Sequence, residues 1–136
     1  MALTYLLDTS VVARLSTPLI GARLTQLDSS GVARTAMTDL EVGFSARTGT
    51  EWGRLTEALG AFAAVDIETR HFDRARQVQR ELAARSLRGR KIPDLLIAAV
   101  AESRSMVVLH YDADFDHIAA VTHQATEWIL PRGSID

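Results

Sequence analysis

Short apolar segments alternate with helix-length segments along this chain, and that alternation restricts its fold more than any other feature. Each predicted strand is separated from the next by at least one predicted helix. The predicted strands are 4–7, 32–36, 64–67, 106–109 and 127–130. Such alternation favours a mainly parallel sheet with helices covering both faces. The sequence therefore predicts the α/β class.

The helices are marked by proline, glycine and hydrophobic spacing. They are predicted over 9–15, from 18 towards 31, from 38 towards 49, over 51–63 and 69–86, from 93 onwards, and over 113–119. The body of the helix that starts at Pro93 reads LLIAAVA, which is apolar on nearly all sides and predicts a central, buried helix. A chain of 136 residues fits one compact domain, so we expect 1–136 to form a single unit.

The composition excludes several kinds of chemistry. Because the chain has no cysteine, disulfides, zinc–thiolate sites and cysteine nucleophiles are ruled out. No apolar run approaches the ~20 residues that span a bilayer, so no membrane partner is expected. The N-terminal segment lacks a basic region and is interrupted by Asp8, which is unlike a signal peptide. We therefore predict a cytoplasmic protein.

Positive charge is concentrated in one part of a chain whose net charge is −2. Residues 70–91 carry eight of the 15 basic residues and only two acids. A solvated helix face explains such a run, and so does a surface that contacts phosphates. Both interpretations stay open from the sequence.

Carboxylates occur at positions that an α/β fold would bring together. Asp8 and Asp112 each follow a predicted strand, and the carboxyl ends of parallel strands meet at one edge of a sheet. Asp94 begins the apolar helix, where an enclosed carboxylate needs a partner. No basic residue occurs between 94 and 102, so the helix itself supplies none.

Each acid also has a local structural explanation. Asp8 suits a helix N-cap, Thr38 and Glu41 have capping-box spacing, and Asp94 suits the first turn of a helix. Taken together, the acids are harder to explain in this way. Two unit charges ~4 Å apart cost roughly 4 kcal/mol at an effective dielectric of about 20, so clustered carboxylates take up protons or bind a cation.

An oxygen-only ligand set indicates a hard cation. Without cysteine, the carboxylates favour Mg²⁺, with Mn²⁺ as the other candidate. Such an ion can activate water and neutralise charge on a phosphodiester. The residues thus predict a site for a divalent cation.

Four segments resemble the acidic motifs of PIN-domain proteins, most closely the VapC-type toxins of bacterial toxin–antitoxin pairs. They are LLDTSVVARL, TDLEVGFSAR, IPDLLIAAVA and VLHYDADFDHIAA, in order and spread over nearly the whole chain. The resemblance implies a PIN-like α/β/α sandwich and a Mg²⁺-dependent endoribonuclease that cuts single-stranded RNA with metal-activated water. It also implies inhibition by a VapB-like antitoxin, and a homodimer or a toxin–antitoxin hetero-oligomer.

The resemblance assigns roles residue by residue. The catalytic acids fall on Asp8, Glu41, Asp94 and Asp112. Metal ligands fall on Asp8, Asp94, Asp112 and Asp114. Substrate-positioning residues are Thr9 and Ser10, together with Arg88, Arg90 and Lys91 of the basic loop before the apolar helix.

Two alternatives remain open from the sequence. The domain could be a protein-binding module whose acidic pocket mainly receives an arginine from a partner. The four histidines could instead support metal-free acid–base cleavage, and His110 lies nearest the acidic motifs. Cleavage that resists a chelator would favour the histidine mechanism.

Overall fold

A five-stranded parallel sheet forms the centre of the molecule. The computed structural model describes residues 4–27, 31–87 and 90–135. The strands are β1 (Tyr5–Leu7), β2 (Val32–Thr35), β3 (Ala63–Val65), β4 (Val107–His110) and β5 (Thr126–Trp128). They lie in the order β3-β2-β1-β4-β5, and every neighbouring pair is parallel. The predicted α/β class and parallel sheet are confirmed.

Helices occupy the connections between the strands, close to where the sequence predicts them. They are α1 (Thr9–Val12), α2 (Pro18–Gln26), α3 (Ala36–Phe44), α4 (Gly49–Glu57), α5 (Thr69–Ala84), α6 (Ile92–Ser103) and α7 (Asp114–Thr122). A 3₁₀ helix at Ala58–Ala61 follows α4, so the predicted helix over 51–63 is divided. Proline lies in the first turn of α2 and of α6, where its missing N–H has no intrahelical acceptor to lose.

The two faces of the sheet bury separate hydrophobic clusters. Leu6 and Val108 pack in one cluster with α5, α6 and α7, while Leu7 and Leu109 pack in the other with α1, α2 and α3. This division follows from the alternation of side chains along a strand. The result is the predicted α/β/α sandwich.

Helix α6 has the burial that its composition predicts. Every residue from Asp94 to Ala101 is buried. An amphipathic surface helix would bury one stripe only, so α6 is a central element of its layer. Its first turn brings a carboxylate into the interior.

The strand order creates a switch point between β1 and β4. From β1 the chain proceeds to β2 and β3 on one side, then returns to β4 and β5 on the other. Loops leaving β1 and β4 diverge there, which opens a crevice at the carboxyl ends of the two strands. Asp8 and Asp112 follow those two strands directly or within two residues.

Candidate metal centre

A pocket of ≈ 600 Å³ lies at this crevice and gathers carboxylates from four parts of the chain. The acids that line it are Asp8, Glu41, Asp94 and Asp112. Carboxylate oxygens of Asp94, Asp112 and Asp114 also lie within 4.8 Å of one another. The structure thus brings together the acids that the sequence places far apart.

Asp8 is buried at the end of β1 and is only 2% exposed. Its Oδ2 accepts a hydrogen bond from the Ser10 amide at 2.9 Å, so the side chain caps α1. Its Oδ1 is buried without a hydrogen-bond partner in the described part of the chain. Burial raises the pKa of Asp8 despite the Ser10 hydrogen bonds, and the charges of Glu41 and Asp112 raise it further. Capping therefore accounts for one carboxylate oxygen of Asp8 and leaves the other available to bind a cation.

Asp94 lies in the first turn of α6 and is 4% exposed. Burial and, next, the charge of Asp8 raise its pKa to about 8. Its Oδ2 has no hydrogen-bond partner among the described residues, and the Lys91 ammonium lies 4.0 Å away. A buried, unpartnered carboxylate is costly unless it is protonated or a cation reaches it.

Asp112 and Asp114 are each paired with a cation. The Lys91 ammonium is 2.7 Å from Asp112 Oδ2, and Arg90 Nη1 is 2.7 Å from Asp114 Oδ1. Burial alone would raise the pKa of Asp112, but the hydrogen bonds from Lys91 and the Asp114 amide hold it below its usual value. Lys91 thereby supplies one positive charge where several carboxylates converge.

Glu41 is oriented by α1 and not by its own helix. The Thr9 hydroxyl lies 2.6 Å from Glu41 Oε1 and 3.2 Å from the Thr38 hydroxyl. The capping box predicted for Thr38 and Glu41 is wrong, because α3 begins at Ala36 and has Thr35 as its N-cap. Helix α3 follows β2 without a loop, so Thr38 lies inside the helix and is buried.

Ser10 connects two of the segments that form the pocket. Its backbone amide binds Asp8, and its hydroxyl accepts a hydrogen bond from the Tyr111 amide at 2.9 Å. Tyr111 precedes Asp112, so this contact fixes the spacing of the β1 and β4 loops. Thr9 and Ser10 both line the pocket.

The basic residues between 70 and 91 have different contacts in the structure. Lys91 lines the pocket and Arg90 pairs with Asp114 beside it, whereas Arg88 lies outside the described residues. On α5, Arg74 forms a bidentate ion pair with Glu102, at 2.7 and 3.0 Å, that joins α5 to α6. The C-terminal end of the stretch lies at the acidic pocket, and Arg74 has a structural partner.

Three histidines lie outside the pocket and make contacts that stabilise the fold. His71 is buried, accepts a hydrogen bond from the Glu68 amide at 2.8 Å and contacts the Ser103 hydroxyl at 2.9 Å. His123 ends α7 in a left-handed conformation with φ 60. His110 Nδ1 accepts a hydrogen bond from the Asp112 amide at 3.2 Å, and burial lowers the pKa of His110 to about 4. None of these three lines the pocket.

Several pocket residues were not predicted from the sequence. They are Arg14, Tyr111, Trp128 and Arg132. Trp128 ends β5, and the carboxyl-end rule that finds Asp8 and Asp112 could have found it. Arg14 lies one helical turn beyond Ser10, and only the proximity of α1 to the β4 loop brings it to the pocket.

The pocket fits a divalent cation. Two buried carboxylate oxygens, Asp8 Oδ1 and Asp94 Oδ2, have no hydrogen-bond partner in the ranges 4–27, 31–87 and 90–135. Oxygen-only coordination and several converging negative charges are the conditions that hard cations prefer. The cluster of Asp94, Asp112 and Asp114 can bind a metal.

Comparisons with known proteins assign the chain to a family. The family model for the PIN domain matches residues 5–121. The chain is 61% identical to Ribonuclease VapC51 of Mycobacterium tuberculosis over 137 aligned positions, covering 100% of both proteins. It is 37% identical to Ribonuclease VapC18 of the same organism, covering 98% of this chain and 100% of that protein. This chain belongs to the PIN-domain family and, within it, to the VapC group.

Solved structures share the fold at lower sequence identity. The chain superposes with a TM-score of 0.77 on a chain of the DNA-bound VapBC complex from Salmonella typhimurium. That match has 21% identity and covers 94% of this chain and 99% of the other. Within the described residues, no helix combines the length and apolar character needed to cross a membrane.

Proposed function

We propose that this chain is a Mg²⁺-dependent endoribonuclease, the toxin of a toxin–antitoxin pair, that cuts single-stranded RNA. Mn²⁺ is the other ion that suits the ligand set. The observation that carries the proposal is the pair of buried carboxylate oxygens, one from Asp8 and one from Asp94, that have no hydrogen-bond partner among the described residues and lie beside Asp112. Its relatives VapC51 and VapC18 are named ribonucleases, which supports RNA as the substrate.

In this proposal Asp8, Asp94, Asp112 and Asp114 hold the ion, and the chain acts as one domain. When bound, Mg²⁺ supplies a Lewis acid that promotes attack by water and neutralises charge on the phosphodiester. The high pKa of Asp94 means that its proton must leave before the carboxylate can bind a cation. Metal affinity is therefore expected to increase with pH.

The other pocket residues orient the reactants. Glu41, held by the Thr9 hydroxyl, accepts a proton from the attacking water. The water oxygen bonds to phosphorus, the bond to the 3′ oxygen breaks, and that oxygen takes up a proton from solvent, to which Glu41 in turn releases its own. The products carry 5′-phosphate and 3′-hydroxyl ends. Thr9 and Ser10 position the phosphate, and Arg90 and Lys91 offset negative charge at the metal site.

An antitoxin partner is part of the same proposal. Leu40 is 70% exposed, Phe44 91% and Trp52 54%, which places large apolar side chains on the surface of α3 and α4. Exposed apolar patches of this kind are typical of protein-binding surfaces. A VapB-like antitoxin would cover such a surface, in a hetero-oligomer or on a toxin homodimer, in the cytoplasm where the RNA substrate occurs.

Cleavage assays with purified, partner-free protein test the function. We expect wild type to cut total RNA with Mg²⁺ and not with EDTA, and cleavage-site mapping to find 5′-phosphate ends. Asp8→Asn and Asp94→Ala should lose at least about a hundredfold in rate, since each removes a carboxylate that would hold the ion that neutralises charge on the phosphodiester. Asp73→Asn is the matched control, because Asp73 is exposed on α5.

The assay also separates the alternatives. Undiminished cleavage by Asp8→Asn would contradict the site assignment, and chelator-resistant cleavage would favour histidine chemistry. A protein that never cuts RNA but binds an arginine-containing partner peptide in the pocket would be a binding module.

A further inference from the structure

Two of the residues predicted to position RNA, Arg90 and Lys91, form ion pairs with carboxylates of the site. Lys91 Nζ is 2.7 Å from Asp112, and Arg90 Nη1 is 2.7 Å from Asp114. A cation in such a pair has less charge to offer a phosphate. The pocket therefore needs other cations if an anionic strand is to approach four carboxylates.

Two other arginines line the same pocket. Arg14 comes from the turn after α1, and Arg132 from the segment after β5. Neither forms an ion pair with any carboxylate in the described part of the chain, unlike Lys91. Among the described residues, they are thus the positive charges of the pocket that form no ion pair.

Aromatic rings hold both guanidinium groups in place. The Arg14 guanidinium lies 5.0 Å from the centre of the Tyr111 ring, and that of Arg132 lies 5.9 Å from the centre of the Trp128 ring. The two rings meet edge to face, with centroids 5.4 Å apart and an interplanar angle of 86°. They form one aromatic wall that carries both arginines. A guanidinium stacked on a ring keeps its N–H donors free at the edge for a phosphate.

Hydrogen bonds fix the wall beside the acids. Arg14 Nη1 donates to the Ser10 carbonyl at 2.8 Å. The Tyr111 hydroxyl donates to the Ile135 carbonyl at 2.8 Å and accepts from the amides of Gly133 and Ile135 at 3.0 and 3.1 Å. These contacts hold the segment that bears Arg132 against the wall. Because Tyr111 directly precedes Asp112, the arginines lie next to the carboxylate cluster.

We propose that Arg14 and Arg132 bind the RNA backbone phosphates that flank the cleaved phosphodiester. The inference rests on the proposed ribonuclease function and specifies which residues position the strand. The arginines contact the substrate, and the aromatic wall orients them. Since guanidinium groups recognise phosphate through two parallel N–H donors, the contact constrains the direction of the strand as well as its affinity.

The test measures RNA binding without cleavage. A fluorescein-labelled, unstructured oligoribonucleotide is titrated with full-length protein in EDTA and followed by fluorescence anisotropy at several salt concentrations. We expect the double variant R14M/R132M to bind roughly ten- to a hundredfold more weakly, as expected for two charge-assisted contacts. The slope of log K against log salt should fall by about 1.4, because each single-strand phosphate contact contributes about 0.7.

A matched variant removes the same charge elsewhere. R76M/R80M takes two exposed arginines from α5, outside the pocket. It should lose much less affinity than R14M/R132M. R14K/R132K keeps the charge without the planar donors and should recover part of the binding. Mg²⁺ affinity by calorimetry and Tm should stay near wild-type values in all three, since none alters a carboxylate of the metal site.

Two results would overturn the inference. One is RNA binding by R14M/R132M that equals that of wild type while wild type still cleaves RNA. The other is an equal loss in R76M/R80M, which would indicate a diffuse charge effect instead of a site. If wild type neither binds nor cleaves RNA, the proposed function itself is wrong, and this inference with it.

Discussion

Replacing Asp94 with asparagine should change how the stability of the metal-free protein depends on pH. The side chain is 4% exposed, and its pKa rises from 3.8 to about 8 in the folded state. Between those pH values the native protein holds a proton that the unfolded chain has released. Wild type should therefore lose stability as pH rises towards about 8 and level off above it. Asparagine has no proton to release, so the Asp94 part of this pH dependence should disappear.

The magnitude follows from the two pKa values. Between about pH 6.5 and pH 8 the folded carboxyl goes from almost fully protonated to half protonated, while the unfolded carboxyl stays ionised. Proton linkage then removes roughly 1–2 kcal/mol from the free energy of unfolding of wild type. For a chain of this size that corresponds to a fall in Tm of about 5 °C. Asp8, whose pKa is also raised, adds a contribution of the same sign.

Burial lowers the pKa of His71 and of His110 in the folded state below 6.5, so their linkage removes stability mainly below the window, where the unfolded histidines take up protons. Because both histidines are present in wild type and in Asp94→Asn, their contribution cancels in the comparison. Urea denaturation in EDTA at several pH values across the window gives the free energy of unfolding of wild type and Asp94→Asn. Asp73→Asn, an exposed replacement of the same kind, controls for the change in net charge.

Mg²⁺ should stabilise wild type more than Asp94→Asn. A cation that binds the native state stabilises it, and wild type offers one more charged ligand than the variant. Its Tm should rise more on addition of Mg²⁺, and more at pH 8 than at pH 6.5. Parallel pH profiles for wild type and Asp94→Asn in EDTA would refute the reasoning, because they would mean that the folded carboxyl titrates normally.

Three further predictions concern helix packing, a buried histidine and the orientation of Glu41. Gly43→Ala should destabilise the fold by about 1 kcal/mol, because an added Cβ would lie 2.7 Å from Trp52 Nε1. Gly53→Ala, with open space around the added Cβ, should stabilise the fold by roughly 0.5–1 kcal/mol. Thermal denaturation distinguishes the two variants, and equal shifts in Tm would be inconsistent with the close approach at Gly43. The His110 contribution to the free energy of unfolding should fall by up to about 3 kcal/mol as pH falls from 6.5 to 4, because the buried imidazole resists protonation while the unfolded one does not. The raised pKa of Asp94 acts in the opposite sense over this range, so urea denaturation should show His110→Gln gaining stability relative to wild type as pH falls, and a constant difference between the two would argue against this assignment. Thr9→Val should slow Mg²⁺-dependent cleavage about tenfold, because it removes the hydroxyl that holds Glu41. Thr9→Ser, which keeps the hydroxyl, should restore the rate. Wild-type activity in the valine variant would show that the 2.6 Å contact between Thr9 and Glu41 has no catalytic role.

Strand–helix alternation was enough to predict the parallel sheet, and the apolar segment after Pro93 was enough to predict a buried helix. Both predictions depend on local patterns that persist in the folded state. The acidic motifs were also visible in the sequence, and the residues assigned to them lie within the range 5–121 that the family model matches.

The surroundings of each acid were decided only by the tertiary structure. Sequence spacing assigned Glu41 to a capping box with Thr38, but the sheet brings α1 against α3 and gives the glutamate Thr9 as its partner. Asp94 has no partner within its own helix, and only the switch point between β1 and β4 places Asp8 near enough to raise its pKa. The aromatic wall brings together Arg14 and Arg132 from opposite ends of the chain. Contacts of this kind depend on crossovers that no local pattern records, since the energy that selects them comes from burying whole helix and sheet faces.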